Sequence, residues 1–157
     1  MPIKINSENL NKKRRTDLLK TEKVAKLVLK ELGEDGVELN IIFLSNQRIR
    51  ALNRAYLNVD TATDVIAFPS RSQMSRSSWV KARCAKAARD FLGDIAISSD
   101  KAAQNAAFYG TTFMEEITLY VIHGTLHLLG YKDTTKKARV RIQRKENEFL
   151  QKAKKFL

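Results

Sequence analysis

The order of apolar and polar residues along the chain predicts an alternation of helices and short strands. Apolar residues recur at helical spacing from Thr16 to Leu32, and Gly33 is a natural end for that helix. From Val37 to Phe43 every second residue is apolar, which predicts a strand over 37–45 with one buried face. Runs of β-branched and aromatic residues predict two more strands, at 63–69 and 92–98. Further helices are predicted at 46–56 (capped by Ser45), 100–109, 112–129 and 134–156.

The helix predicted from Thr112 to Leu129 is apolar on nearly every side. Thr112 and Glu115 have the spacing of a capping box, in which each side chain bonds the backbone N–H of the other residue. The body of the helix has no polar face, so we expect it at the centre of an α+β domain. Gly124 interrupts this body at a cost of about 1 kcal/mol relative to alanine, so we expect a strand or a substrate to pass close to it.

Both histidines of the protein lie in this apolar helix, at positions 123 and 127. A spacing of four residues places His123 and His127 on one face, one turn apart, where two imidazole nitrogens can bind one metal ion. Asp133 follows a turn at Gly130 and is the expected third ligand, although it could instead cap the last helix. Two imidazoles and a carboxylate leave one coordination position open, which is typical of a catalytic zinc site. One divalent metal ion, expected to be Zn²⁺, is therefore the predicted cofactor.

No general base is evident from the sequence, and two carboxylates are the candidates for this catalytic role. Glu116 lies seven residues before His123 on the ligand face of the helix, where it is equally well explained as a first-turn acid favoured by the helix dipole. Asp94 is the second candidate, and its alternative role is to fix the local backbone through side-chain hydrogen bonds. Zinc peptidases with an H-E-x-x-H motif carry their catalytic glutamate where this chain has Gly124, so a peptidase mechanism lacks its proton acceptor.

The charge of the chain indicates a polyanionic partner. The net charge is +12, and basic residues are concentrated in segments 1–20, 69–91 and 132–157, the last with ten positive and three negative residues. Lysine and arginine side chains bind phosphates by releasing condensed counterions, so we expect a nucleic acid as the partner. Trp79, in the basic segment 69–91, either stacks on a base or anchors that segment.

Composition excludes several other classes of protein. A chain of 157 residues with 43% hydrophobic residues favours one domain with its own core. Cys84 is the only cysteine, which excludes an internal disulfide and a cysteine-based zinc or iron–sulfur site, and we assign it no function. The chain has no run of 18 apolar residues and no apolar N-terminal stretch, so we expect a protein of the reducing cytoplasm without a membrane partner.

Three motifs, in order along the chain, resemble those of the YbeY family of metal-dependent endoribonucleases. HGTLHLLGYKD (123–133) is similar to the family signature His-Gly-x-Leu-His-Leu-x-Gly-Tyr-Asp-His, TDVIAFP (63–69) is similar to Thr-Asp-Val-Leu-Ser-Phe-Pro, and LGDIAIS (92–98) is the third motif. The resemblance implies an α+β fold: a small four-stranded mixed sheet packed with about five helices, one of them the central helix with the metal-binding histidines. Its fourth strand would come from Pro2–Ile5. The chain 1–157 would form a single YbeY-like domain with a basic loop at 69–91 and a basic C-terminal helix at 134–156.

Carried over residue by residue, the resemblance assigns His123 and His127 to the first two metal ligands of the family. Asp133 falls on the third ligand, which is a histidine in the family, and Lys132 stands where the family has an aspartate. A carboxylate ligand suits harder ions better than histidine does, which makes zinc less certain. Leu57 stands where the family has an arginine near the metal, so another cation would have to replace it. The candidates for binding RNA are Arg54, Arg71, Arg76, Lys132, Lys136 and Lys137.

The resemblance implies a metal-dependent, single-strand-specific endoribonuclease that acts in ribosomal RNA processing, at the 3′ end of 16S rRNA, and in ribosome quality control. Its partners would be ribosomal RNA, the small ribosomal subunit and ribosome-assembly proteins. The alternative is a non-catalytic, ribosome-associated RNA-binding factor whose metal site is structural or vestigial. A hydrolase of small phosphoesters or peptides is disfavoured by the basic segments. A non-haem iron oxygenase is disfavoured by the spacing of the histidines on a buried helix.

Overall fold

The structure, a computed structural model, describes residues 2–70 and 90–157. Its strands are β1 (Lys4–Asn9), β2 (Val37–Leu44), β3 (Val65–Pro69) and β4 (Asp90–Ser98). They form one four-stranded sheet in the order β1-β2-β4-β3. β2 runs parallel to both of its neighbours, whereas β3 runs antiparallel to β4 at the edge of the sheet. The predicted mixed sheet is therefore confirmed.

Five helices are described beside this sheet: α1 (Leu18–Glu31), α2 (Asn46–Leu57), α3 (Ser99–Tyr109), α4 (Phe113–Leu128) and α5 (Lys136–Ala153). A short 3₁₀ turn, Lys154–Phe156, follows α5. The α+β class, with about five helices around a small sheet, is confirmed. Most predicted ends of helices and strands lie within two residues of the observed ends. The last helix, predicted over 134–156, ends at Ala153 because the residues after it form the 3₁₀ turn.

The helix starts follow the predicted capping chemistry. The Ser45 side chain accepts a hydrogen bond from the backbone N–H of Arg48 at the start of α2. At the start of α4, Thr112 and Glu115 form the complete capping box. Each cap satisfies backbone N–H groups that have no partner inside the helix.

The first strand differs from the expectation, because β1 begins at Lys4 and continues to Asn9 instead of ending at Ile5. It pairs in parallel with β2, from Lys4 opposite Glu38 to Asn9 opposite Phe43. The hydrogen bonds of this parallel ladder satisfy backbone groups of both strands. The polar sequence of β1 hides this pairing from an analysis of hydrophobic pattern.

The core lies between the sheet and α4. Leu39, Ile41 and Phe43 of β2 are fully buried on the same sheet face, as the alternation predicted. On α4, Ile117, Val121, Ile122 and Leu126 are fully buried as well. The prediction that the apolar helix occupies the centre of the fold is therefore confirmed.

Gly124 lies where α4 crosses β4. A Cβ atom at this position would be 2.7 Å from Cγ2 of Ile95, a fully buried residue of β4. Real Cβ atoms do not approach other atoms this closely, so the glycine lets the helix backbone contact the strand. The close neighbour expected from the sequence is a strand.

Candidate metal centre

The α4 helix presents its two histidines side by side near its C-terminal end. The Nε2 atoms of His123 and His127 are 2.9 Å apart, and both rings are partly buried. Because the residues are four apart in a regular helix, the spacing in the sequence is sufficient to explain this arrangement. Both rings therefore direct the same nitrogen toward one point.

His123 has a partner that the sequence analysis missed. Its Nδ1 atom contacts Oε1 of Glu146, which projects from α5 and has a side chain only 12% exposed. A carboxylate can only accept, so this bond places the ring proton on Nδ1 and leaves the Nε2 lone pair available. Metal-binding histidines commonly have their second nitrogen held by a carboxylate in this way. A signal was present in the sequence, because Glu146 falls on the same helix face as the apolar residues Ile142 and Phe149.

Asp133 completes the group from the loop between α4 and α5. Its Oδ2 atom lies 3.5 Å from Nε2 of His127. The alternative that Asp133 caps the last helix is not what is observed, since the side chain of Thr135 accepts the capping bond from the N–H of Ala138. Arg139 donates a hydrogen bond of 3.3 Å to the carbonyl oxygen of Asp133, which holds the loop against α5.

The donor atoms fit a divalent metal ion. One atom each from His123, His127 and Asp133 lie within 4.8 Å of one another. Two ligands at 2.0–2.1 Å from a tetrahedral ion would be about 3.3 Å apart, so only small ring and carboxylate movements separate the observed distances from coordination. The group could therefore hold a metal ion, with two imidazoles and one carboxylate as donors.

Electrostatics make the two rings unequal. Burial lowers the pKa of His123, but the hydrogen bond and charge of Glu146, together with Asp64 and Asp133, raise it overall. The pKa of His127 is lowered, by burial first and by the adjacent His123 second, with Asp133 opposing both. His127 is therefore the ring more readily kept neutral, and neutral imidazole is the form that binds metal ions.

The three side chains line a cleft of about 610 Å³. One wall comes from the C-terminal part of α2 and from β3, with Asn53, Leu57 and Val65 among the lining residues. The loop from Leu129 to Asp133 also lines the cleft. Among the described lining residues, Lys132 is the one cation. A cleft of this size is within the usual range of ligand sites, and this one is open to a flexible substrate.

Neither candidate for the general base lines the described part of this cleft. Glu116 is 6% exposed in the first turn of α4, where its carboxylate accepts a hydrogen bond of 2.7 Å from Oγ1 of Thr111. Asp94 lies on β4 and accepts a hydrogen bond of 2.8 Å from the side chain of Asn40. Both carboxylates take part in contacts that stabilise the fold, and a catalytic role for either stays a prediction.

Comparison with known families and structures identifies the family to which this chain belongs. The family model described as endoribonuclease YbeY matches residues 3–154. The chain belongs to this family. The YbeY resemblance drawn from three motifs is confirmed, and with it the assignment to hydrolases of the endoribonuclease class. Membership does not favour the alternative of a non-catalytic RNA-binding factor.

The YbeY relatives align over different shares of the chain. A protein named endoribonuclease YbeY from Geobacillus kaustophilus is 41% identical over 101 residues, which cover 64% of this chain and 63% of that protein. Its namesake from Desulforamulus reducens is 36% identical over 137 residues, covering 86% of each chain. The solution structure of TM1509 from Thermotoga maritima has a TM-score of 0.63 at 26% identity and covers 96% of this chain and 88% of its own.

The RNA-binding candidates divide into three groups. Lys132 and Lys137 line cavities beside the metal centre, and Lys136 is the exposed first residue of α5. Arg54 is exposed on the last turn of α2. The hydrogen bond and charge of Arg50 lower the pKa of Asp60, and the charge of Arg54 lowers it by a smaller amount. Arg71, Arg76, Trp79 and Cys84 lie outside the described residues, as does most of the predicted basic loop 69–91.

Leu57 lines the cleft at the position where the YbeY family has an arginine, so this residue brings no charge to a wall that also contains Asn53 and Thr63. Tyr56, beside it, packs edge-on against Phe68 of β3, with ring centroids 5.7 Å apart. In the part of the chain that the structure describes, the positive charge at this cleft comes from Lys132. None of the described helices is both long enough and apolar enough to cross a lipid bilayer.

Proposed function

We propose that this YbeY-family protein is a metal-dependent endoribonuclease specific for single-stranded RNA, with its reaction centre at His123, His127 and Asp133. The observation that carries the proposal is the convergence of these three donors on one point in an open cleft. Glu146 supports it, because a buried carboxylate that fixes the proton of a histidine ring is expected beside a metal ligand.

Zinc is the ion we propose, since two imidazoles and a carboxylate with an open position are a common catalytic zinc set. When bound, the ion would act as a Lewis acid toward a phosphate oxygen of the RNA and activate water for hydrolysis. The chain's own residues have defined tasks. Glu146 orients His123, Arg139 holds the loop of Asp133, and Lys132 supplies a positive charge at the cleft wall.

An unpaired strand is the substrate that we propose for this open cleft. Flexible single-stranded RNA can lay its backbone along an open cleft, whereas a rigid duplex must dock from the outside. The acid–base groups remain proposals, with Glu116 and Asp94 as the candidates carried from the sequence.

We further propose that the protein acts in the cytoplasm on ribosomal RNA, at the 3′ end of 16S rRNA, and in ribosome quality control. The small ribosomal subunit and ribosome-assembly proteins are the proposed partners. A single YbeY-like domain over 1–157, with basic segments at 69–91 and 134–156, would supply the phosphate contacts. Its net charge of +12 supports such a partner.

The test is cleavage of a single-stranded RNA and of its duplex form by the purified protein and by His127→Ala. Both proteins are assayed at the same free zinc concentration, the zinc bound to each is measured, and their RNA affinities are measured separately by fluorescence anisotropy. We expect the native protein to cleave the single strand faster than the duplex, and His127→Ala to bind the RNA without cleaving it. Equal cleavage by both proteins would contradict the proposal, because the activity would not require the centre.

A further inference from the structure

A second, basic groove adjoins the metal cleft. It has a volume of about 400 Å³ and lies between the loop after α4 and the first turns of α5. Three cations line it, Lys132, Lys137 and Arg141, and the described lining residues include no carboxylate. No ion pair joins these three side chains to an acid within the described ranges of the chain, so their charges are not neutralised there.

The groove and the cleft are continuous. Leu129, Gly130, Tyr131 and Lys132 line both of them. Lys132 therefore stands at the junction, between the carboxylate of Asp133 on one side and the cations of α5 on the other. A chain molecule that occupies the metal cleft can leave it in this direction without meeting an acidic residue of the described groove lining.

Arg141 is held in position for an anion. Its guanidinium carbon lies 5.2 Å from the ring centroid of Tyr131, which is a cation–π contact. A guanidinium fixed against an aromatic face loses less freedom when it binds a phosphate, and its fork matches two phosphate oxygens. The other wall of the metal cleft, near Leu57, offers no comparable group among its described lining residues.

We propose that this groove binds the backbone phosphates that flank the cleaved bond on one side, so that RNA leaves the metal centre over the start of α5. The inference rests on the proposed function and adds the direction in which the RNA strand leaves the metal centre. Lys132 contacts the phosphate nearest the metal centre. Lys137 and Arg141 together contact the next phosphate along the strand. Hydrolysis itself takes place at the metal centre and does not involve these residues.

The experiment compares the native protein with the double variant Lys137→Gln/Arg141→Gln. We expect the variant to raise KM for single-stranded RNA on the order of tenfold while kcat stays within about twofold. Losing the one phosphate that Lys137 and Arg141 share on a single strand should also reduce the salt slope of RNA affinity by about 0.7. Zinc affinity should be unchanged, because neither residue touches a predicted ligand.

The control is Lys23→Gln/Lys26→Gln, which removes the same charge from exposed positions of α1. The control should leave KM within about twofold of the native value. Equal KM increases in both double variants would overturn the proposal, since net charge alone would then explain them. A groove variant that loses zinc affinity would also overturn it, because the residues would then act through the metal centre.

Neutral methylphosphonate linkages, placed one at a time along the RNA, give the position of the contact. In the native protein, a neutral linkage at the second phosphate from the cut, the one assigned to Lys137 and Arg141, should raise KM on one side of the cut only. The groove variant should be insensitive to that same linkage, because the contact is already lost. Sensitivity that persists unchanged in the variant would contradict the proposal. If the native protein does not cleave RNA at all, the proposed function fails, and RNA affinity still tests the groove.

Discussion

The contact between His123 and Glu146 allows a quantitative prediction about metal affinity. Glu146 is almost fully enclosed, with 12% of its side chain exposed, and its carboxylate accepts the Nδ1 proton of His123. Removing such a partner of a metal ligand costs 10- to 100-fold in metal affinity in other proteins. Because tenfold corresponds to about 1.4 kcal/mol, the contact is expected to contribute about 1.4–2.8 kcal/mol to zinc binding.

Two substitutions separate the parts of this effect. Glu146→Gln keeps an oxygen that can accept the same hydrogen bond but removes the charge, so we expect about a tenfold loss. Glu146→Ala removes the acceptor as well and frees the ring to rotate, so we expect a loss of about 100-fold. The measurement is competition for zinc against a chromogenic chelator at constant pH, with folding checked by urea unfolding.

Glu148→Gln is the matched control. It removes a carboxylate from the same helix, but Glu148 is 44% exposed and pairs only with Lys145 and Lys152 within the described ranges. The control should bind zinc as tightly as the native protein. Zinc affinities of Glu146→Ala and the native protein that agree within about twofold would refute the role assigned to Glu146. An equal loss in Glu148→Gln would refute it as well.

Three further predictions concern stability, each measured by urea unfolding. In the native background, Gly124→Ala should lower the free energy of unfolding by about 1 kcal/mol, because overpacking against Ile95 exceeds the gain in helix propensity. In an Ile95→Ala background the same substitution should stabilise the protein. An effect of the same sign in both backgrounds would contradict the close contact. Thr118→Val should stabilise the protein by about 1 kcal/mol, because the buried Thr118 hydroxyl has no hydrogen-bond partner among the described residues. A loss of stability would show that the hydroxyl does have a hydrogen-bond partner. Asp100→Asn should cost about 1–2 kcal/mol at pH 7, since the carboxylate accepts bonds from Asn11, Arg14 and the N–H of Asn46. Burial raises the pKa of Asp100, but these bonds lower it overall. The difference in free energy of unfolding between variant and native protein should therefore be full above about pH 4 and vanish as the pH falls through the pKa of the folded state. A difference that does not depend on pH would contradict this.

Helices and central strands were predictable from the sequence because their signals are local. The capping box at Thr112 and the apolar body of α4 specify that helix without reference to the rest of the chain. The apolar residues that alternate along β2, from Val37 to Phe43, likewise form one face of the strand, which packs in the hydrophobic core. The strand β1 was not predictable from its own pattern, since its polar residues become a strand only by pairing with β2.

The metal centre divides in the same way. His123 and His127 were predictable because four residues along one helix fix their relative position. Asp133 is also close to the two histidines along the chain. Glu146 lies 23 residues from His123, and the two meet only because α5 packs on α4. The spacing of Glu146 on the apolar face of α5 suggested burial, but no local pattern identified its partner.

Zinc stoichiometry is the most direct test of the central claim, that His123, His127 and Asp133 together hold one catalytic ion. The protein is purified without chelator and without nickel resin, and its metals are measured by elemental analysis beside His123→Ala, Asp133→Ala and the control Glu115→Ala. We predict one divalent ion per chain in the native protein and in the control, and none in the other two variants. Full metal content in Asp133→Ala, or no stoichiometric metal in the native protein, would contradict the account.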